Sequence, residues 1–500
     1  MKRNHFISLT ALIAVIFTIL FYKNSIGINL LIFEWVIIPL MIYVNKPFKR
    51  SIINNTLLLS LIISSIMIVI IHTPWTIFIN LILLLSFSGA LSYKDFRSYI
   101  HLLIDSFVRI FTTHFSKQDL KTNKKNKTNT PSILNKTLLW VIVPLITLLI
   151  FTGLYTTASS KFAELIKPIF RSIFDFLEEI NITLILIFIL GIIISNILLR
   201  RSKSIGLLKV DQESSDILFR KRISHIFPFK TNALKTHYLM GVIILSILNI
   251  LILIFNVTDF FTVWLFNWDG RFLKEFVHTG TWVLIFSILL SSIIALYFFK
   301  DNLNFYKNNK WLKRLTIVWI LQNIFMTLSV GVRNYWYLTY FGLAYKRIAV
   351  FFFLILAIIG LITIIIKIID KKSAFYLLRV NSYMVLIVLV ISSIFNWNTI
   401  IAKYNFKNAN KSFIEYKFMA FLDSSALPYT IKTMEELQQI NTLQKKNMPF
   451  DINKEFYWTI ETYYNEINLA KQDFITKYKN QKPLEWNLSD YLTYRKITKK

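Results

Sequence analysis

The side chains that could do chemistry in this chain are few, and the composition excludes most kinds of active site. The sequence has no cysteine, which removes disulfides, thiolate zinc sites, iron–sulfur clusters and cysteine nucleophiles. Its 7 histidines are scattered and form neither His-x-x-x-His nor His-Glu-x-x-His, the patterns that bind zinc on a helix. It also lacks a glycine-rich phosphate loop and a serine on a glycine-flanked turn. We therefore expect no catalytic residue of these classes, no metal and no cofactor.

Glu34 is the ionisable residue nearest the middle of an apolar segment, residues 26–43. A charge at the centre of a bilayer costs at least about 2.5–3.5 kcal/mol unless it is paired, so it often marks an ion or proton pathway. Two simpler alternatives are that Glu34 pairs within the bundle, or that this short segment places it within reach of water. Arg379 lies near the inner end of the last apolar segment. Gln322 and Asn323 lie in the ninth and are typical of hydrogen bonding between helices.

A second group of candidate residues lies in two aromatic and charged segments, 267–282 and 329–347, which we expect at the same face of the membrane. Glu275 of the first and Arg333 of the second are placed to pair across neighbouring helix ends. The simpler alternative is an aromatic belt with interfacial arginine and lysine anchors, which explains Trp and Tyr better than it explains the grouped Arg, Glu and Gly. A binding or assembly role would add these residues to the cluster: Tyr337, Tyr340 and Arg347.

A membrane-embedded transferase acting on a lipid-linked substrate is the main enzymatic alternative. Such enzymes typically place acidic residues in the first external loop, but here that loop, residues 23–25, has no carboxylate. Asp269 and Glu275, in a later external loop, could still act as acid or base. A transporter commonly needs helices broken by Gly or Pro at matching places in two halves, whereas these segments are mostly continuous and the chain has only 11 glycines.

The elements that must position these residues are apolar segments of membrane-spanning length. The chain is 55% hydrophobic and 17% charged over 500 residues, and its apolar residues fall in blocks of about 20, enough to cross ~30 Å of hydrocarbon. Because a helix satisfies every backbone group within one segment, we predict an all-α, polytopic transmembrane helical bundle of about eleven spans. The predicted spans are 6–22, 26–43, 52–72, 75–92, 138–157, 181–199, 237–257 (continuing as far as Phe266), 278–299, 314–331, 347–367 and 377–396.

The distribution of lysine and arginine predicts the orientation of these spans. With the N-terminus in the cytoplasm, 32 of the 57 basic residues fall in inner segments and 9 in outer segments, and 16 follow residue 400. Basic cytoplasmic loops also explain the net charge of +30 without nucleic acid, which we do not expect as a partner. An odd number of spans places the C-terminal region outside the cytoplasm, and one miscounted span would reverse that.

The chain is predicted to form two domains, a transmembrane domain over 1–399 and a small, polar, helical domain over 400–500. The second has 16 Lys and Arg against 11 Asp and Glu, and no apolar run long enough to span. In the first, apolar residues at helical spacing predict amphipathic helices near 96–115 and 160–179 on the membrane surface. The alternative for 160–179 is the docking of a partner protein.

Four separated elements carry a resemblance to a bacterial family. They are Lys-Glu-Phe-x-x-x-Gly-x-Trp at 274–282, Arg-x-x-x-Tyr-x-x-Tyr-x-Gly-Leu-x-x-x-Arg at 333–347, Ile-Ala-Lys-Tyr-Asn at 401–405 followed by Asp423 and Ala-Leu-Pro at 426–428, and Glu-Trp-Asn-Leu-Ser at 485–489. In order and position they resemble the polytopic membrane proteins of domains of unknown function 4153 and 4173, over roughly 230–490. Ala344 stands where that family usually has threonine. The resemblance implies a bacterial inner-membrane protein with a C-terminal appendage and no assigned activity.

These observations together favour a non-enzymatic scaffold, sensor or assembly component of the inner membrane. Its expected partners are membrane lipids and, through the C-terminal domain, another envelope protein. A transporter of a small solute or lipid is the alternative, and a membrane-embedded transferase is the third.

Overall fold

The structure is a computed structural model of the chain. It describes residues 3–45, 51–92, 96–115, 144–179 without 145, 146 and 149, 181–200, 206–220, 232–265, 273–299, 302–448 and 458–499. Within these ranges the chain is helical apart from its connections and one isolated β-bridge, between Ile217 and Lys372. The predicted all-α fold class is confirmed.

The described helices follow one another along the chain in this order. Up to residue 213 they are α1 (Arg3–Phe21), α2 (Ile28–Val44), α3 (Ile52–Ile71), α4 (Pro74–Ser92), α5 (Tyr99–Phe115), α6 (Ser160–Glu179), α7 (Ile182–Leu199) and α8 (Leu207–Glu213), with residues 150–158 also helical. The next are α9 (Asn232–Asp259), α10 (Leu273–Phe298), α11 (Lys310–Phe341), α12 (Tyr345–Ile369) and α13 (Ala374–Ser393). The last are α14 (Trp397–Lys407), α15 (Tyr416–Ala420), α16 (Leu427–Thr430), α17 (Met434–Asn447), α18 (Ile460–Lys479) and α19 (Leu488–Thr498).

Eight of the described helices are long and apolar enough to cross a membrane: α1, α3, α4, α7, α9 with the turn that follows it, α11, α12 and α13. Helix α2 and residues Trp282–Phe298 of α10 are shorter apolar helices. Together they correspond to ten of the eleven predicted spans. The remaining one, 138–157, is described only in part: residues 150–157 are helical, and residues 138–143, 145, 146 and 149 lie outside the described residues. The seventh span continues to Trp264, as expected from its sequence. The chain is therefore a multi-pass membrane protein.

The surface of the spanning helices is apolar, as contact with lipid requires. On α9, Ile247, Ile250, Leu251 and Ile254 are each more than 60% exposed. In water a contiguous patch of this kind promotes association. In a bilayer the lipid tails cover it, and packing between helices then depends on close contact and hydrogen bonds rather than on hydrophobic burial.

The described chain divides into two compact units, residues 1–24 with 112–202, and residues 25–111 with 203–500. In the first unit α1 packs along α7. A β-carbon at Gly191 would lie 3.1 Å from the backbone of Ala14, so the glycine permits this close approach. The predicted amphipathic segment 160–179 is helical in this unit as α6, and its place on the membrane surface stays a prediction.

In the second unit most spans pack against their neighbours in sequence, but α9 packs along α11, and α13 also contacts α3 and α4. Helices α9 to α13 enclose a core of buried aliphatic side chains, among them Leu245, Ile288, Leu312, Ile320, Leu361 and Ile368. Residues 400–499 belong to this same unit. Their own core, around Ile401, Leu437 and Ile497, also includes Leu343 and Ile348 from the region where α11 ends and α12 begins. The C-terminal helices are thus packed onto the spans.

Capping explains why the polar C-terminal segments fold as helices. At α17 the Thr433 hydroxyl accepts the Glu436 N–H, and the Glu436 carboxylate accepts the Thr433 N–H, which forms a capping box. Helices α17, α18 and α19 all carry acidic residues in the first turn and basic residues in the last turn. This arrangement complements the helix dipole.

Helix α5 packs in a way that its sequence alone did not specify. Its apolar side chains Ile104, Phe107 and Phe111 are exposed, whereas Ser106 and Arg109 are buried. Ser106 lies so close to Gly89 of α4 that a β-carbon on the glycine has no room. The polar face therefore meets the bundle and the apolar face points away from it, the polarity expected where lipid replaces water.

Candidate functional site

Helix α9 ends in one turn of π-helix, Phe260–Trp264, directly after Asp259. Such turns often occur at functional sites because they insert one residue and change the direction of nearby side chains. Here α11 covers the turn. The Trp336 indole N–H donates to the Val263 carbonyl at 3.0 Å, and the Trp264 indole N–H donates to the Ser329 hydroxyl at 2.8 Å.

Arg333 lies between these two contacts on α11 and forms an ion pair with Asp259. Both side chains are almost fully buried, at 7% and 1% exposure. The second carboxylate oxygen of Asp259 has no hydrogen-bond partner among the described residues. A buried pair of this kind is stable only while both charges are present, because either one alone would be uncompensated in a medium of low dielectric constant.

Arg347 holds the turn between α11 and α12. Its guanidinium lies 4.3 Å from the centre of the Tyr337 ring and donates to the carbonyl of Phe341 at 2.7 Å and to that of Gly342. Its own carbonyl accepts the Asn334 amide at 2.9 Å. These bonds satisfy carbonyls at the end of α11 that have no partner within the helix.

Asn405 of α14 joins this turn to the C-terminal helices. Its side-chain oxygen accepts the Leu343 N–H at 2.6 Å, and its amide nitrogen donates to the Leu343 carbonyl at 2.9 Å. Gly342 has a φ of +74°, and a β-carbon there would lie 2.7 Å from the Asn405 oxygen. Both the backbone angle and the close approach require glycine. We call Gly342, Leu343 and Asn405 the clamp.

Further contacts hold the C-terminal region at the same end of the unit. The Tyr340 carbonyl accepts the Phe413 N–H at 2.7 Å, and the Tyr345 hydroxyl donates to Asn398. At α2, the Ser25 N–H donates to the Glu485 carboxylate and the Ile28 N–H to the Trp486 carbonyl, each at 2.9 Å. The C-terminal helices are therefore bonded to both α2 and the α11–α12 turn.

Glu34 lies apart from this cluster, fully buried in α2. Asn80 of α4 donates to one of its carboxylate oxygens at 3.1 Å. The other oxygen has no hydrogen-bond partner among the described residues, and neither has the carbonyl oxygen of Asn80 or the hydroxyl of Ser64. The pairing within the bundle that the sequence suggested as one alternative is thus present, but it leaves half of the carboxylate unsatisfied.

A charged network at the opposite end of the unit gives Arg379 its partner. Asp216 contacts Arg379 at 2.7 Å and Arg97 at 3.1 Å. Asp211 is fully buried and accepts the Arg97 and Ser98 N–H groups at 2.6 and 3.0 Å. This network fixes residues 211–216 between α5 and α13, so it explains these charges structurally.

The structure brings together four of the six candidate residues, Arg333, Tyr337, Tyr340 and Arg347, near the α11–α12 turn. Glu34 is elsewhere, and the side chain of Glu275, in α10, lies outside the described residues, as does Asp269. Arg333 pairs with Asp259, which sequence reasoning missed. Asn405 stood in the family-like segment 401–405, but the sequence assigned it no role. Gln322 does bridge two helices, since it donates to Asn249 at 2.8 Å, whereas Asn323 bonds within α11.

The arrangement is suited to holding elements in place. The described residues contain no group of three His, Asp or Glu side chains that could hold a metal ion. The charged groups of the cluster are engaged by backbone carbonyls, an aromatic ring and each other. What the geometry supports is coupling between the spans and the C-terminal helices.

Comparison with known proteins identifies a family and no activity. No curated protein and no solved structure is significantly similar to the chain. The model of one family, described as Domain of unknown function (DUF4153), matches residues 56–433. The match begins earlier than the resemblance at 230–490 and ends before the segment at 485–489. The match runs from within α3 to just beyond α16 and includes both sides of the clamp. On this evidence the chain belongs to the DUF4153 family.

Proposed function

We propose that this protein is a non-enzymatic membrane scaffold or sensor whose C-terminal helices meet an envelope partner protein outside the cytoplasm. The observation that carries the proposal is the clamp. Asn405 bonds to both backbone groups of Leu343, so the C-terminal region is fixed to the spans rather than tethered to them.

The clamp gives such a protein a way to transmit force between its two parts. Any movement of α14 is passed to Leu343 and Gly342, and through the Arg347 contacts to the ends of α11 and α12. Packed elements of this kind move between discrete arrangements and do not deform continuously. A partner bound to the C-terminal helices would therefore change the arrangement of the spans α11 and α12.

The proposed location is the bacterial inner membrane, with the N-terminus in the cytoplasm. Support comes from the distribution of Lys and Arg and from the contacts at Ser25 and Ile28. Those contacts hold the C-terminal helices at the end of the unit that contains residues 25–27. The positive-inside rule assigns that end to the outside.

Photo-crosslinking in living cells tests the partner. A photoreactive phenylalanine analogue replaces Phe421, which is 70% exposed in the C-terminal region. In a matched control it replaces Phe261, which is 62% exposed within the span that ends at Trp264. We expect a protein adduct of defined mass from position 421 and none of that mass from 261. Asn405→Ala should lower the yield of the adduct from position 421. An adduct that forms equally from both positions, or no co-purifying protein that depends on residues 401–500, would contradict the proposal.

Transport is the second candidate, and the unsatisfied oxygen of Glu34 is the observation that favours it. Buried carboxylates inside spans commonly carry protons or cations. The test is proton or sodium flux into vesicles that contain the purified chain. A transporter should lose flux with Glu34→Gln and keep it with Trp35→Phe, since Trp35 is exposed on the same helix. Flux equal to that of empty vesicles would exclude this function.

A further inference from the structure

A groove in the C-terminal region is lined by positive charge. It encloses about 740 Å³ between α14, α16 and α19. Six basic side chains line it: Lys403, Lys407, Lys432, Arg495, Lys496 and Lys499. No Asp or Glu is among its lining residues. We call it the basic groove.

Most of these cations lack an acidic partner. Lys432 contacts Glu436 at 3.5 Å. None of Lys403, Lys407, Arg495 and Lys499 is in an ion pair with a described residue. Like charges around one concave space raise the local potential, because the protein walls exclude water and concentrate the field. An anion in the groove would relieve this repulsion.

A simpler explanation covers part of the arrangement. Lys407, Arg495 and Lys496 lie in the last turns of their helices, where cations complement the helix dipole. That accounts for their positions along each helix. It does not explain why the basic C-terminal ends of α14 and α19 line the same groove, nor why Lys403 and Lys432 line it as well.

Aromatic rings on the groove wall hold two of the cations in place. The Lys432 ammonium lies 5.8 Å from the centre of the Phe406 ring, and the Lys496 ammonium lies 5.4 Å from the Tyr429 ring and 3.3 Å from its hydroxyl. Fixing a flexible lysine before a ligand arrives lowers the entropy cost of binding. The groove therefore has charge, volume and some pre-organisation.

We propose that the basic groove binds an anion that carries two or more phosphate groups. Phosphate oxygens are strong acceptors for lysine and arginine. The volume lies within the 300–1,000 Å³ typical of small-molecule sites, and six cations exceed what one phosphate can contact. The same chemistry occurs in a soluble polyphosphate and in a lipid headgroup with two phosphate groups. Helix α14, which carries Lys403 and Lys407, begins four residues after α13 ends, so a lipid source is tested as well as a soluble one.

Binding to the purified full-length chain tests the proposal with two probes. Tripolyphosphate added to the chain in neutral detergent represents the soluble source, and cardiolipin in phosphatidylcholine nanodiscs represents the lipid source. We expect at least one probe to bind the unmodified chain, and to bind Lys407→Glu/Lys499→Glu at least tenfold more weakly. The matched control is Lys477→Glu/Lys479→Glu, with the same change in net charge on α18, outside the groove.

The control double variant should bind within twofold of the unmodified chain. Circular dichroism and thermal unfolding confirm that both variants are folded. Failure of both probes to bind the unmodified chain, or an equal loss of binding in the two double variants, would overturn the proposal. This inference goes beyond the scaffold function and is measured without a partner protein, so either idea can fail while the other stands.

Discussion

At the scale of single residues, the buried pair of Asp259 and Arg333 makes the sharpest prediction about stability. Arg333→Met should destabilise the folded chain by about 3–5 kcal/mol, because it leaves the Asp259 carboxylate buried and uncompensated. The double variant Asp259→Leu/Arg333→Met should recover most of that loss, since both charges are then absent. Thermal unfolding in detergent measures both.

A matched control for this cycle lies on the same helix. Arg314 is exposed, so Arg314→Met should change the free energy of unfolding by no more than about 0.5 kcal/mol. If the losses of stability caused by Asp259→Leu alone and by Arg333→Met alone added up in the double variant, Asp259 and Arg333 would not be energetically coupled.

Gly342 makes a second prediction at this scale, through its backbone conformation. Gly342→Ala should cost about 1–3 kcal/mol, because alanine is strained at a φ of +74° and its β-carbon would displace Asn405. Gly360→Ala is the control: Gly360 lies inside α12, and a β-carbon there would lie 3.8 Å from the side-chain oxygen of Asn381, an ordinary contact distance. Removing a helical glycine there should be neutral or stabilising by up to about 1 kcal/mol. If the two variants unfolded at the same temperature, a side chain at position 342 would not strain the clamp.

At the scale of elements, α15 and α18 meet through two buried tyrosines, Tyr416 and Tyr463, whose ring centres are 5.0 Å apart. Burial raises the pKa of both hydroxyls, and the neighbouring Tyr416 raises that of Tyr463 further. Their neutral forms are thus favoured in the folded state. The stability they give is fully present below the pKa of an unfolded tyrosine, about 10, and is lost as the pH rises above it.

We therefore expect the C-terminal helices to lose stability above about pH 10. Tyr416→Phe should make the loss with pH less steep, because the buried hydroxyl whose pKa is raised is then absent. Unfolding temperatures measured across the alkaline range, with tyrosinate absorbance in parallel, give the result. Tyrosines 416 and 463 that ionise at pH 10 without unfolding would contradict the burial argument.

The elements themselves were the most predictable part of the structure. Runs of about 20 apolar residues cannot satisfy their backbone in lipid except as helices, so ten predicted spans correspond to described helices. The packing of α5 was less predictable. Periodicity locates its apolar and polar faces, but cannot say whether the apolar face meets lipid or protein.

The candidate site was predictable only in part, for a related reason. Arg333, Tyr337 and Arg347 stand out because charged and aromatic residues crowd at one helix end. Asp259 gives no such signal, since its partner is 74 residues away and its direction depends on the π-helical turn that follows it. Asn405 is likewise an ordinary amide until the fold places it against the backbone of Leu343.

At the scale of the whole molecule, the orientation can be tested with single cysteines because the chain has none of its own. Leu469 on α18 and Val210 on α8 are both more than half exposed. We expect a membrane-impermeant maleimide to label Leu469→Cys in intact cells whose outer permeability barrier is open. Val210→Cys should react only after lysis. The reverse pattern would invert the proposed topology.

The bonds between α2 and the segment at 485–486 also bear on how the protein is made. Ser25 and Glu485 are 460 positions apart, so the ribosome finishes every span before the partner of the Ser25 N–H exists. The start of α2 therefore gains its last contacts only after a further 460 residues have been synthesised. A chain truncated after residue 448 would still contain all the described apolar helices, but it would lack the bonds between the start of α2 and residues 485–486. Full assembly of the second unit therefore requires translation as far as residue 486.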